Sequence, residues 1–246
     1  MAAQILNVEH GRDWSELAAL LLDSQADPYQ SYFRRLHPVS IRDPDSRELE
    51  IDQLAKKLRK ECVNDPTSYT VKAVDTETGL ILGLSIWNIR TASQSINEGE
   101  EPRCEFTMYA DDGEIELISE DVERMEIARA GPTDLPHIFL YTIATRSTPT
   151  GGEVGKLLMD WGLERADLLG IETWAYTSSP ETSLYSMTGF EAFGKLSVRP
   201  GAVSLEEHKS GVTTPFRPFT IWSIRRGARR NREKYRAHYT DTNGFW

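Results

Sequence analysis

The 246-residue chain is poor in cysteine, has no long apolar run and lacks a positive charge excess. Its two cysteines, Cys62 and Cys104, show no CxxC spacing. That argues against a disulfide scaffold and a structural zinc site, and fits a reduced, cytoplasmic setting. The longest apolar run, Leu17 to Leu22, is far short of the roughly 20 residues of a membrane-spanning helix. The first twenty residues carry Glu9, Arg12, Asp13 and Glu16 and no apolar signal-peptide core. Lys plus Arg is 28 against 38 Asp plus Glu, a net charge of −10. Neither a nucleic acid nor a membrane is therefore expected as partner. What is present, 39% hydrophobic and 27% charged residues, suits one α/β domain with insertions that buries its own core.

The charge is unevenly spread. Between Asn97 and Glu126 twelve acidic residues face only Arg103 and Arg124, a local net of −10. From Arg225 to Trp246 seven basic residues face Glu233 and Asp241, a local net of +5. The expected organisation is one domain over 1–224, with a polar acidic insertion at about 91–135, and a basic tail over 225–246.

Periodicity supplies the elements. Residues 3–8 read as a short strand. A helix follows, with Asp13 as N-cap, Glu16 three residues on, and Trp14, Leu17, Ala18, Leu21 and Leu22 on one face, bounded by Pro28. Ile51, Leu54, Ala55, Leu58 and Cys62 mark a second helix. Residues 69–74 and 80–89, joined by a DTETG turn, read as a hairpin. Within the insertion, a short helix is expected after Ser119. HIFLYTIAT from His137 is a strand, and a loop and a helix with Val154, Leu157, Leu158 and Trp161 follow. Residues 171–177 form another strand. Ser179-Pro180 opens a short helix that Gly189 ends, and residues 190–198 and 215–224 are the last strands.

The segment 137–190 carries the chemistry. A glycine loop opening a helix presents backbone N–H groups and a positive dipole end, a place for phosphate. A nucleotide P-loop does not fit, because Thr150 stands at its first glycine and Leu157 at its magnesium hydroxyl. A dinucleotide fingerprint also lacks its first glycine, although Glu172 lies near the ribose-acid spacing; this leaves a nucleotide-binding oxidoreductase as a distant alternative.

A third pattern covers more of the chain. Ala144-Thr145 end a strand, the loop Thr150 to Gly155 follows, Ala166-Asp167 lie in the helix, and Leu184-Tyr185 precede Gly189-Phe190. In that order and spacing these pieces resemble the acetyl-CoA-binding half of the GNAT acyltransferase superfamily, especially fungal members. The two N-terminal helices and the hairpin are similar to the same group, so the resemblance spans roughly 3–90 and 137–224. It departs from the family at Thr150, where Gln or Arg is usual, and at Glu153, which stands for a glycine.

The resemblance implies a mixed, mostly antiparallel α/β sheet flanked by helices. It implies acetyl-CoA as cosubstrate and a small primary amine as acceptor, with direct transfer in a ternary complex. The backbone at Ile143 and Ala144 would face the acyl carbonyl, and Thr145 would pair with the pantetheine arm like an added strand. Gly151, Gly152, Val154, Gly155 and Lys156 would hold the pyrophosphate, and Ser178 would join the cofactor contacts. Tyr185 matches the general acid, since a phenol with a pKa of roughly 10 can protonate a thiolate. The family's usual Glu base falls on Phe139. His137, on the same strand face, and Glu172 are the candidate replacements. The rival reading is a GNAT-fold protein without transferase activity, a CoA-binding regulator or interaction module, which Thr150, Glu153 and Phe139 favour.

Overall fold

The computed structural model describes residues 2–24, 44–91, 135–148, 150–178, 183–198 and 219–229. The interior of the acidic segment, with the helix expected after Ser119, lies outside them, as do Pro28, Ser179-Pro180 and the tail beyond Arg229. The elements run β1 (Ala3–Asn7), α1 (Trp14–Ser24), α2 (Pro44–Asn64), β2 (Ser68–Asp75), β3 (Ile81–Arg90), β4 (His137–Thr145), α3 (Gly151–Leu169), β5 (Glu172–Thr177), α4 (Ser183–Thr188), β6 (Glu191–Val198) and β7 (Phe219–Arg226). The strands form one seven-stranded sheet in the order β1-β2-β3-β4-β5-β7-β6. Among the described residues only β4 and β5 pair in parallel; the other neighbours are antiparallel. This is the expected mixed, mostly antiparallel sheet. Its last strand continues through Arg225 and Arg226, two residues counted with the tail on charge alone.

Alternation sorts the strand residues to two faces. Val74, Leu84, Ile86 and Ala144 pack against Leu17, Leu21, Leu54 and Leu58 of α1 and α2. On the other face Trp87, Ile138 and Leu140 meet Met159, Leu163 and Ala166 of α3, and Val71, Ala73 and Leu82 meet Val154 and Leu158. Helix α3 crosses so close to β3 that a Cβ on Gly162 would overlap the Trp87 ring. The Trp87 indole N–H is satisfied by Ser85 Oγ at 2.8 Å. Helix α3 ends at Gly170, whose φ of 66° is the left-handed conformation glycine adopts without penalty.

Two polar knots pin the connections. In the β2–β3 turn Asp75 Oδ1 accepts from the N–H groups of Glu77 (2.9 Å) and Thr78 (2.8 Å). The expected box between Asp13 and Glu16 gives way to a different arrangement. Asp13 accepts from the Glu9 N–H at 2.7 Å and from Lys72 Nζ at 2.5 Å, while Glu16 receives Arg146 at 2.9 Å. The physical reason is Lys72, whose side chain is 4% exposed under the start of α1. A buried ammonium needs a counter-charge, and Asp13 is within reach.

Candidate functional site

The parallel ladder between β4 and β5 pairs His137 with Glu172, Ile138 with Thr173, Phe139 with Trp174 and Leu140 with Ala175, and ends there. On its other edge, β4 pairs Leu140 with Trp87 and Thr142 with Ile86, leaving Tyr141 as an extra, bulged residue. A bulge bends its strand and increases the local twist. It lies where β4 leaves β5, so the two strands form a fork, with 141–145 on one arm and 176–178 on the other. The bulge also changes the side-chain phase. Ile138 and Leu140 point to the α3 face, and so does Ile143, three residues on rather than two. That interval of three within HIFLYTIAT is the sequence signal of the bulge.

The first turn of α3 meets the β4 arm. Thr145 Cγ2 would lie 3.8 Å from a Cβ on Gly155, and the Arg146 carbonyl 3.0 Å from one on Gly151. The connecting loop is internally bonded: the Gly151 N–H donates to the Thr148 carbonyl at 2.9 Å, and those of Glu153 and Val154 to the Thr150 carbonyl at 3.0 and 3.1 Å. The Thr150 side chain makes no capping bond. Gly152 has open space where a Cβ would stand. Val154 buries its side chain in the core, so only its backbone can face a ligand. Lys156 is exposed and paired with Asp160 one turn on. Glu153 is exposed in the first turn.

Helix α4 stands beside this turn. The Leu184 methyls lie 3.9 Å from where a Gly155 Cβ would be, and the Tyr185 ring meets the Phe190 ring edge-on at 5.7 Å. Ser178 is exposed at the end of the β5 arm. On the opposite face of the sheet, Phe139 packs edge-on against Tyr141 at 4.9 Å and Tyr176 at 5.3 Å, an aromatic trio at the root of the fork.

The structure thus gathers Ile143, Ala144, Thr145, Gly151, Gly152, Val154, Gly155 and Lys156 around one strand end and helix start, with Tyr185 adjacent and Ser178 across the fork. His137 is not among them. It opens β4, its Nδ1 lies 2.7 Å from the Leu135 carbonyl, and Glu172 is its register partner. At about 3.3 Å per residue, His137 lies roughly 20 Å along the strand from Ile143. Glu172 faces Arg225 at 3.8 Å.

The fork and the glycine turn fit an acyl-CoA in shape: a cleft between strands for an extended arm, and a helix start for phosphates. The loop's own bonds to Thr148 and Thr150 mean that a pyrophosphate would share those N–H groups in three-centre bonds. Sequence reasoning did not single out the aromatic trio or Arg226, because the fork and the α3–β7 contact depend on register and packing.

No protein-family model and no curated protein matches the sequence. Among solved structures, the chain is similar to a histone acetyltransferase HPA2 and related acetyltransferase from Corynebacterium glutamicum, with a TM-score of 0.54 and 20% identity over 93% of this chain and 97% of that one. It is also similar to the C-terminal condensation domain of Ebony, in complex with β-alanyl-dopamine, with a TM-score of 0.55 and 14% identity over 91% and 98% of the two chains. At such identities the likeness concerns the fold. The fold of this chain is that of the GNAT acetyltransferases.

Proposed function

We propose that this chain is an N-acetyltransferase of the GNAT superfamily. It moves the acetyl group of acetyl-CoA to a primary amine of a small molecule, in one step within a ternary complex. The observation that carries this reading is the fork after Leu140 and Ala175, opening beside the glycine turn of α3. The pantetheine arm lies along Ile143 to Thr145, and the helix start takes the phosphates through backbone N–H groups shared with the loop's own bonds. The amine arrives from the opposite face, past Phe139, Tyr141 and Tyr176, whose rings suit the apolar body of an amine or its cationic form. Tyr185 protonates the departing thiolate. No side chain is assigned as base: His137 and Glu172 stand together at the far end of the ladder. The reading places the protein in the cytoplasm, on its cysteine content, and among fungal-type members, on the motif resemblance.

Calorimetric titration with acetyl-CoA, followed by thiol release with a panel of primary amines, tests the proposal. Binding with amine-dependent thiol release supports it. Binding without turnover supports the second reading, a CoA-binding protein without transferase activity, which the exposed Glu153 in the phosphate-facing turn favours. Absence of binding at millimolar acetyl-CoA rejects both.

A further inference from the structure

Helix α4 has six residues, none of them buried. An isolated helix needs about 12–15 residues to be even marginally stable in water, so α4 depends on its surroundings. Its own bonds are local. Thr188 Oγ1 donates to the carbonyls of Leu184 (2.7 Å) and Tyr185 (3.1 Å), and the Phe190 N–H donates to the Tyr185 carbonyl at 3.1 Å. These bonds set the shape of the turn and leave its place to outside contacts.

Arg226, the last residue of β7, makes such a contact. Its Nη1 and Nη2 donate to Asp167 Oδ1 and Oδ2 at 2.7 and 2.8 Å, and its Nε donates to the Thr188 carbonyl at 3.1 Å. The arginine side chain is 4% exposed and that of Asp167 30%. One guanidinium therefore joins the last turn of α3, the end of β7 and the C-terminal end of α4. The last carbonyls of a helix lack partners within it and carry partial negative charge. A cation fits there, and the planar guanidinium holds the carboxylate through two parallel bonds while its Nε serves the carbonyl.

We propose that Asp167 and Arg226 are positioning residues that pin α4 and thereby hold Tyr185 beside the first turn of α3. This rests on the acetyltransferase reading, in which Tyr185 is the acid. There the amine nitrogen bonds to the acetyl carbon and the C–S bond breaks, leaving its electron pair on sulfur. The Tyr185 proton goes to that thiolate, and the proton shed by the amine returns to the phenolate through water. The Ala-Asp step of the motif then has two structural roles, with Ala166 in the core and Asp167 in the clamp.

The test combines Arg226→Met, Arg226→Lys and Asp167→Asn with Tyr185→Phe, read by steady-state kinetics, acetyl-CoA titration and amide exchange. Tyr185→Phe alone lowers kcat roughly 10²-fold. Arg226→Met lowers kcat about tenfold, with acetyl-CoA affinity unchanged, and costs nothing further in the Tyr185→Phe background. Arg226→Lys and Asp167→Asn fall between Arg226→Met and the native chain. Phe190 amide protection drops in each variant while that of β3 stays. An equal kcat loss in both backgrounds, or no loss, overturns the proposal. Should Arg226→Met fail to fold, Asp167→Asn decides by the same criteria. If the native chain transfers no acetyl group, the acetyltransferase reading falls. The exchange measurement then decides the pinning separately, and unchanged Phe190 protection in Asp167→Asn overturns it.

Discussion

On the β1–β4 side of the sheet, helices cover both faces, and Leu17, Leu58, Ala73, Leu84 and Trp87 are fully enclosed. On the β5–β7 side, α4 has no buried residue and Phe193 of β6 is 56% exposed. Ala175 and Ile224 join the core beneath α3, and ring–cation contacts lie outside it: Arg225 is 5.0 Å from the Phe193 ring and 5.6 Å from the Trp174 ring, and Lys195 is 5.6 Å from the Trp222 ring. The first side is held by filled volume on both faces, and the second adds surface pairs of smaller individual worth to the core it shares through Ala175 and Ile224. The fork runs along the boundary between them. Its β4 arm belongs to the stiff side and its β5 arm to the adjustable side. A cleft built this way has one wall backed by core on both faces and the other beside the exposed helix α4.

The sharpest way to break that contrast is a matched pair of truncations. Trp87→Ala, in the filled half, should lower the unfolding free energy by about 3–5 kcal/mol. Phe193→Ala, in the other half, should stay within about 1 kcal/mol, the scale of an exposed ring–cation contact. Denaturant unfolding of both variants checks the order, and similar losses would erase the distinction.

Acid should reach the stiff half through Asp13. Burial by itself would raise its pKa. The bonds from Lys72, the Glu9 N–H and Arg12, together with the charge of Lys72, outweigh burial and hold it below the usual 3.8. Because the folded pKa is depressed, the stabilisation is complete above the unfolded value and is lost as pH falls through the folded one. Melting temperature followed from pH 7 to below 4 should therefore drop less in Asp13→Asn than in the native chain. At pH 7 the variant is the less stable, since it leaves the Lys72 ammonium buried without its counter-charge. Parallel curves for the two proteins would assign the acid sensitivity elsewhere.

The fork's own electrostatics should yield a smaller effect. Glu153 is favoured by the helix dipole in the free protein, by roughly 0.3–1 kcal/mol. Facing a pyrophosphate at about 7 Å, it costs about 1 kcal/mol for two charges in a solvent-like dielectric. Glu153→Gln and Glu153→Gly should both tighten acetyl-CoA binding several-fold, and the gain from Gln should shrink at high salt. Titrations showing no gain from either variant would mean that the carboxylate points away from the phosphates. The smallest effect is expected at the strand end remote from the fork. His137→Ala should leave kcat within about twofold, the change expected of a group that does not touch the reacting atoms, and a large loss in an acetyl-transfer assay would bring that end into the chemistry.

Most of the element order was legible because local periodicity reports local structure. Val154, Leu158 and Trp161 mark one face of α3, although Leu157, expected on the same face, is exposed, and the DTETG turn marks the hairpin. Three features were less accessible. Lys72 and Asp13 are 59 residues apart, and nothing near either announces the pair. Arg226 sits in a run of basic residues that reads as solvated, yet it is buried. The fork is a matter of register. Only the interval from Leu140 to Ile143 hints at it, because one edge of β4 loses its partner after Leu140 without a change in composition.

The close approach of α3 to β3 bears on how such a sequence can drift. A side chain at position 162 is shut out while Trp87 is present, and shrinking Trp87 first opens a cavity costing several kcal/mol. Either order of change passes through a destabilised intermediate, so the glycine and the tryptophan are energetically coupled positions. A Trp on β3 facing a Gly on α3 would then be a covariation mark by which distant sequences sharing this packing are recognised.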